Sequence, residues 1–440
     1  MRITTPPLDI QESHGFKNDL LQRKQLGESL TNLVINSTEA LVISLNSQWG
    51  EGKTTFVKMW QGLLKEQNIH SIYIDAFQND HTDDAFILIV SAISSYADRH
   101  AGKNKIKKFK KIAIETGKHL IPWAAKTVTK AFTFNLIDNE GMERLLAQKN
   151  IVQDTSEAVG GYVKERLETH TKKVELIEAF KKSLSELPSK LENNTSAKLV
   201  IIIDELDRCR LSFAIEIIEK IKHFFSIEHI IFVLAMHRNQ LEGSIKHIYG
   251  KDIDAYTYLQ KFISVEATLP PKFYSNYDHG SYIQRLIKLH EIPNYNNTHE
   301  GIVSYLIPLV RHFEFSLRQI EKVFTNLAII YGISNAKQDK SLLDSPALIV
   351  FISAVRVKNS NLFERLQKQN ITFKDLWEGL KIAQVDFSLE NLRNWVRFGV
   401  LSEEEFCTLS VDDPARKVIN HYNIREKIIP LLCQRLSMFQ

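Results

Sequence analysis

Two groups of residues in this chain have the types and the spacing to handle a phosphate ester. The first is Ser47-Gln48-Trp49-Gly50-Glu51-Gly52-Lys53-Thr54-Thr55. Glycines at 50 and 52 let backbone N–H groups turn toward phosphate oxygens, in dihedrals that a Cβ resists. Lys53 is placed to reach the β- and γ-phosphates of a nucleotide, and the Thr54 hydroxyl to ligate Mg²⁺. The pattern G-x-x-x-x-G-K-[ST] asks for glycine at position 47, where this chain has Ser47. The second group is Asp204-Glu205-Leu206-Asp207-Arg208, at the end of the apolar run Leu199 to Ile203. A carboxylate ending a buried strand is costly unless it has a partner or a task. Beside a phosphate loop, Asp204 would hold the Mg²⁺ shell, and Glu205 would orient and deprotonate the attacking water. The nucleotide expected is ATP, because no guanine-reading Asn-Lys-x-Asp stands in the right place.

These residues need a strand and a helix on either side of the loop. Ala40 to Leu45 supplies a β-branched and apolar run, and Phe56 to Gln61 reads as a helix opening. Ahead of them, leucines at 20, 21, 26, 30 and 33 predict a helix over Asp19 to Val34. Ile72 to Ile74 is a short buried strand, followed by an apolar helix from about Asp84 to Ala97. Leu199 to Ile203 suits a central parallel strand, with a helix from Ser212 to Phe225 and another buried strand from His229 to Ala235. Between them, a block of lysines (103, 105, 107, 108, 110 and 111), an amphipathic stretch from Ile112 to Ile137 and a charged helix from Glu157 to Leu187 read as an insertion. Pro188 to Ala197 reads as its linker. Past Pro270-Pro271 the pattern is helical to the end. The fold class expected is α/β: a doubly wound parallel-sheet core with a helical insertion and a C-terminal all-α region. The domains are then a lead-in and helix (1–37), a nucleotide-binding core (38–270, with the insertion at 103–197), a helical lid (271–335) and a C-terminal helical region (336–440).

Composition sets outer limits. The 440 residues are 44% hydrophobic and 25% charged, ordinary for a globular chain with a large core. A net charge of +4 does not by itself point to nucleic acid. Scarce glycine (17) and proline (11) favour long helices. Cys209, Cys407 and Cys433 are widely spaced and odd in number, with no zinc spacing, which fits a reducing, cytoplasmic setting. The apolar run Ala85 to Ala97 falls short of the ~18 residues that span a bilayer, and lysines at 118, 126 and 130 stud the stretch from Ile112 to Ile137. A transmembrane segment is not expected.

Trp49-Gly50-Glu51-Gly52-Lys53-Thr54, the distant Asp204-Glu205-Leu206-Asp207-Arg208-Cys209 and the insertion between them resemble the KAP family of P-loop NTPases. Tyr258-Leu259-Gln260-Lys261-Phe262-Ile263 before Leu269-Pro270-Pro271, and Leu317-Arg318-Gln319-Ile320-Glu321-Lys322, extend the resemblance over about residues 19–330. The resemblance implies a doubly wound sheet with a helical lid, and a phosphate-sensing arginine at Arg318, which could equally be a solvated helix charge. It also implies a setting in mobile or phage-defence gene clusters. The chain departs from the family at Ser47, in the lysine-studded stretch where relatives carry membrane hairpins, and at His237, where an acidic residue is common. His237 is either a donor to the γ-phosphate or a structural histidine. Arg208 is either a stabiliser of developing charge or the ion-pair partner of Asp207 or Glu205. Asp207 is expected to orient Arg208 or the loop.

Three functions are consistent with these residues, and the first is favoured. One is an ATPase, of slow turnover given Ser47 and His237, acting as a nucleotide-controlled switch or assembly module for a protein partner encoded nearby or for self-association. Another is a nucleic-acid-engaged ATPase using Lys103 to Lys111, a block whose one aromatic is Phe109. The last is a non-hydrolysing module with ATP as a permanent structural cofactor.

Overall fold

The computed structural model describes residues 1–6, 10, 14–81, 84–101, 103–120, 174–191, 197–222, 227–269, 279–335, 338–382, 389–417 and 428–439. The chain forms two compact units, one of Asp9–Trp49 and Lys53–Pro271, the other of Met1–Leu8, Gly50–Gly52 and Lys272–Gln440.

The first unit is built on five parallel strands: β1 (Leu41–Asn46), β2 (His70–Asp75), β3 (Leu199–Asp204), β4 (Ile230–Met236) and β5 (Val265–Thr268). They lie in the order β2-β3-β4-β1-β5. Every residue of β3 and β4 is buried, as expected of parallel strands covered on both faces. Side chains alternate between the two faces. Ile201, Ile203, Phe232 and Leu234 pack with Phe86 and Val90 of α3 (Ala85–His100) and with Ile217 of the helix Leu211–Lys222. Val200, Ile202, Ile231 and Val233 pack with Leu30 and Val34 of α1 (Lys24–Asn36) and with Phe56, Val57 and Trp60 of α2 (Lys53–Glu66). Helices therefore cover both faces, and the sheet is doubly wound as the sequence predicts.

Local chemistry sets where the helices begin and end. Asp84 caps α3 by accepting the N–H groups of Phe86 (2.7 Å) and Ile87 (3.3 Å). Asp19 does not start α1, contrary to the expectation from the leucine spacing. Its carboxylate accepts the N–H groups of Leu21 (3.1 Å) and Lys24 (2.8 Å), Gln22 has φ +51°, and the helix begins only at Lys24. At the far end of α1, the buried Lys198 ammonium donates to the carbonyls of Val34 (2.6 Å) and Ile35 (2.8 Å) and to that of Ser37. Those acceptors are among the ones a helix C-terminus leaves without partners. Trp60 Nε1 donates to Thr31 Oγ1 (3.0 Å), fastening α2 to α1.

Within the expected insertion, the lysine block and the start of the amphipathic stretch form a single helix, Lys103–Leu120. Its continuation to Ile137 lies outside the described residues. So do residues 157–173 of the charged helix, residues 223–226 and Pro270-Pro271. Residues 174–185 are helical. Pro188–Lys190 forms a short 3-10 turn, and Pro188 and Leu191 are buried, so this part is packed structure and not an open linker.

Among the described residues, the regular elements of the second unit are helices, set around Pro346–Lys358, whose residues Ala347 to Val355 are all buried. A helix apolar on every side belongs at a centre, and Thr298–Phe313, Leu317–Ile333 and Ile428–Ser437 surround it. The N-terminal residues close over His290. Its Nδ1 lies 2.8 Å from the Arg2 carbonyl and must donate to it, so Nε2 accepts from the Thr5 hydroxyl at 3.0 Å. Burial lowers the His290 pKa below its ordinary 6.5, although the Arg2 carbonyl opposes the shift. A folded pKa below the unfolded one means that stability is complete above about 6.5 and is lost as pH falls through the folded value. Thermal unfolding compared at pH 7.5 and pH 5.5 should show that loss, and His290→Gln should flatten it.

Candidate active site

The loop Ser47 to Gly52 leaves the end of β1 and enters α2 at Lys53. Gly50 has φ +81° and Gly52 has φ +77°, conformations that favour glycine. Ser47 is not among the residues with positive φ, so that position does not require glycine's freedom. It is buried, its N–H donates to the Met236 carbonyl (3.2 Å), and its hydroxyl donates to the Gln48 carbonyl (3.3 Å). Gln48 and Trp49 are exposed, whereas Glu51 is half-buried. Lys53, Thr54 and Thr55 form the first turn of α2, where helix N–H groups and the helix dipole favour an anion.

Thr54 meets the end of β3. Its hydroxyl lies 2.7 Å from Asp204 Oδ2 and 3.2 Å from Glu205 Oε1. With one proton to give, it donates to the nearer oxygen. Asp204 has no exposed surface. Its Oδ2 also accepts the Tyr73 hydroxyl (3.1 Å), and its Oδ1 accepts the Glu205 N–H (2.8 Å). Burial, with Asp204 beside it, pushes the Tyr73 pKa upward, so the phenol keeps its proton and serves as donor. The register that brings Tyr73 here pairs it with Ile202 and Asp75 with Asp204.

Glu205 is a non-glycine residue at φ +63°, a left-handed conformation that costs about 1–2 kcal/mol. The conformation turns the chain sharply off β3 into the 3-10 turn Leu206–Arg208. Burial raises the Glu205 pKa, while Arg208 works against that shift. The Arg208 Nε lies 2.5 Å from Glu205 Oε2, so Arg208 pairs with Glu205.

Asp207 holds the loop. Its Oδ1 accepts the His237 N–H (2.9 Å) and lies 3.7 Å from Lys53 Nζ, and its Oδ2 accepts the Trp49 indole N–H. Burial lowers the Lys53 pKa, and the Asp207, Asp204 and Glu205 charges oppose that shift. His237 caps the helix Arg238–Tyr249, with Nδ1 accepting the Gln240 N–H at 3.2 Å. In neutral imidazole the proton then sits on Nε2. The His237 ring lies against that of Trp49, with centroids 5.6 Å apart.

In the helical unit, Arg318 is the second residue of the helix Leu317–Ile333, where Ser316 and Gln319 form a capping box. Its backbone N–H donates to the carbonyl of Gly50 (3.2 Å), a residue grouped with that unit.

Lys53, Thr54, Asp204, Glu205 and Arg208 thus converge, with Trp49 and His237 beside them. Two participants were missed in the sequence. Tyr73 looked like any strand aromatic, because its part depends on the β2–β3 register. Asn46, whose Oδ1 accepts the Arg238 N–H (3.1 Å), is the polar end of β1. A polar residue closing an apolar strand was the signal available for it.

A profile of the KAP family P-loop domain matches residues 23–398. The chain belongs to the KAP family. No curated protein matches it at a significant level. Among solved structures, it is similar to the ORC2 protein of Aeropyrum pernix in its ADPNP-ADP complexes, at 10% identity and a TM-score of 0.32, with 97% of each chain covered. A likeness that slight carries no weight for fold or function. The KAP assignment and the observed sheet agree on an α/β P-loop NTPase core, which brings nucleotide binding with it.

A hard cation such as Mg²⁺ takes oxygen donors and usually keeps waters and substrate phosphates, so one or two protein oxygens suffice. The Thr54 hydroxyl touching a wholly buried Asp204 carboxylate fits that demand. Among the described residues, no cluster of three or more His, Cys, Asp or Glu side chains has metal-holding geometry, and no helix is long and apolar enough to cross a membrane. In the lysine block of this KAP protein, Lys107, Lys108 and Lys111 are exposed, and Lys110 pairs with Asp98 at 2.6 Å. Phe109 is buried against Phe180, so it is not available for stacking on a base.

Tyr73→Phe deletes one donor to Asp204 and leaves the ring in place. For a Mg²⁺ held at Thr54 and Asp204, the expected result is a metal requirement for nucleotide binding raised about tenfold, the usual scale for an outer-sphere partner. A magnesium titration of ATP binding by calorimetry measures it.

Proposed function

We propose that this KAP protein binds ATP with Mg²⁺ and hydrolyses it slowly, as a nucleotide-controlled switch for a protein partner. The observation that carries the reading is the Thr54 hydroxyl held between Asp204 and Glu205, at 2.7 and 3.2 Å, across sequence separations of 150 and 151 residues. A loop lysine, a hydroxyl, a buried carboxylate and a second carboxylate in contact are the parts that phosphoryl transfer to water uses.

In this reading, Lys53 and the first turn of α2 bind and orient the phosphates. Thr54 and Asp204 hold Mg²⁺, which when bound neutralises phosphate charge. Glu205 takes the proton of the attacking water, its raised pKa bringing it closer to the basicity that step needs. Arg208 has a twofold part: its pairing with Glu205 limits how freely that carboxylate takes a proton, and its charge lies near the phosphates. That pairing is a physical cause for slow turnover that does not involve Ser47. What supports the switch is the bond from the Arg318 N–H, in the first turn of the helix Leu317–Ile333, to the Gly50 carbonyl. A cytoplasmic location and a role in anti-phage defence, which rests on the family resemblance, belong to the same proposal.

Glu205→Gln should lower kcat by about 10²- to 10⁴-fold, the range for loss of a general base, while ATP still binds. Single-turnover hydrolysis beside an ATP-binding isotherm tests this, and unchanged turnover would sink the reading. In cells, Lys53→Ala should abolish any plaque reduction the wild-type gene gives. Protection that survives Lys53→Ala would remove nucleotide from the defence role.

A further inference from the structure

We propose that Asp207 is a positioning residue that ties down the phosphate loop and competes with nucleotide phosphates for the Lys53 ammonium. The proposal rests on the nucleotide reading above and goes beyond it by assigning a role to a residue that makes no step of the reaction.

Three separate elements meet on this one carboxylate. Trp49 comes from the loop, Lys53 from the start of α2, and the His237 N–H from the end of β4. The Asp207 side chain is 1% exposed and that of Lys53 is 9% exposed, so the pair is shielded from solvent. Trp49, by contrast, is 46% exposed. A large indole on the surface is a poor anchor by burial alone, so its N–H bond to Asp207 and its contact with the His237 ring hold it in place.

The contacts differ in kind. The two N–H groups make directed hydrogen bonds, and each belongs to a neutral group. Lys53 at 3.7 Å stands beyond hydrogen-bond length and is held by charge. Of the three partners, the ammonium is the one a competing anion can draw away, and a polyphosphate carries more charge than one carboxylate. When Lys53 turns to phosphate, the two N–H donors still satisfy Asp207, so the carboxylate is not left bare. Its negative charge beside Lys53 therefore sets the affinity of the loop for anions, and its bond to Trp49 sets the loop's shape. Asp207 also rides on the turn that begins at Glu205, which links loop position to the hydrolytic carboxylate.

The two parts of the role separate in a cycle of four full-length proteins: wild type, Trp49→Phe, Asp207→Asn and the double variant. Asp207→Asn alone would set an amide NH₂ against one of two N–H donors, so the charge effect is read in the Trp49→Phe background, where one donor is gone. There, Asp207→Asn should tighten Mg²⁺-ATP binding by at least about fivefold, the upper end of the scale for exposed ion pairs, which a pair shielded from solvent should reach. A hub that only maintains structure would give equal or weaker binding in the same comparison, and that result overturns the competition. Trp49 emission without nucleotide, obtained by subtracting each Trp49→Phe partner, should shift when Asp207 becomes Asn. An unchanged spectrum overturns the tie. ATP binding by none of the four proteins would sink the nucleotide reading and the competition with it, whereas the emission comparison judges the tie independently of nucleotide. Should Asp207→Asn fail to fold, Asp207→Ser removes the charge, retains an acceptor and serves both comparisons.

Discussion

A carboxylate with no exposed surface stands at the end of the central strand β3, and much of the first unit is arranged so that it can stay there. Burying Asp204 as an ion without partners would cost several kcal/mol. The chain meets that demand with the hydroxyl of Thr54, the hydroxyl of Tyr73 and the N–H of Glu205. Each donor comes from a different element: α2, β2 and the turn after β3. The Tyr73 hydroxyl is in place only when β2 pairs with β3 in the observed register, and the Thr54 hydroxyl only when α2 packs on the sheet. The charge and the fold therefore depend on each other.

The turn after β3 concentrates the remaining acidic chemistry. Glu205 takes a left-handed backbone conformation, and the strain is borne where the chain must leave the sheet at once. From that turn Glu205 reaches Thr54, Arg208 reaches back to Glu205, and Asp207 reaches the phosphate loop. Glu205, Asp207 and Arg208 thus make these contacts from within one turn, while Leu206 between them packs into the core. Under the proposed function, this short turn is where phosphate binding, proton transfer and loop geometry meet.

Arg208 and His237 illustrate how local partners narrow a residue's options. The arginine pairs with Glu205, the partner the hydrolytic reading most needs unencumbered. The histidine spends Nδ1 on a helix cap and sets its ring against Trp49, which leaves the Nε2 proton for any other partner. The lysine block shows the same restraint, with its single aromatic turned into the core and one lysine already paired.

The phosphate loop, the acidic strand end and the continuous apolar runs of β3 and β4 were legible in the amino-acid order. Each is local: glycine spacing, an apolar run and a charge after it are properties of a few neighbouring residues. The family could be named from the same short stretches, and the doubly wound sheet followed from buried runs alternating with helices. What tertiary structure alone decided is which groups answer which charges. Ser47 looked like a defect until its backbone proved not to need positive φ. Asp19 looked like a helix start until its carboxylate was seen bonding the turn ahead of Lys24. The groups that Tyr73, Asn46 and Asp207 each meet could not be read, because they depend on strand register and on contacts across as many as 192 residues of chain. Sequence periodicity says which face of a strand is buried, but only the pairing of strands says what a polar group on that strand will meet.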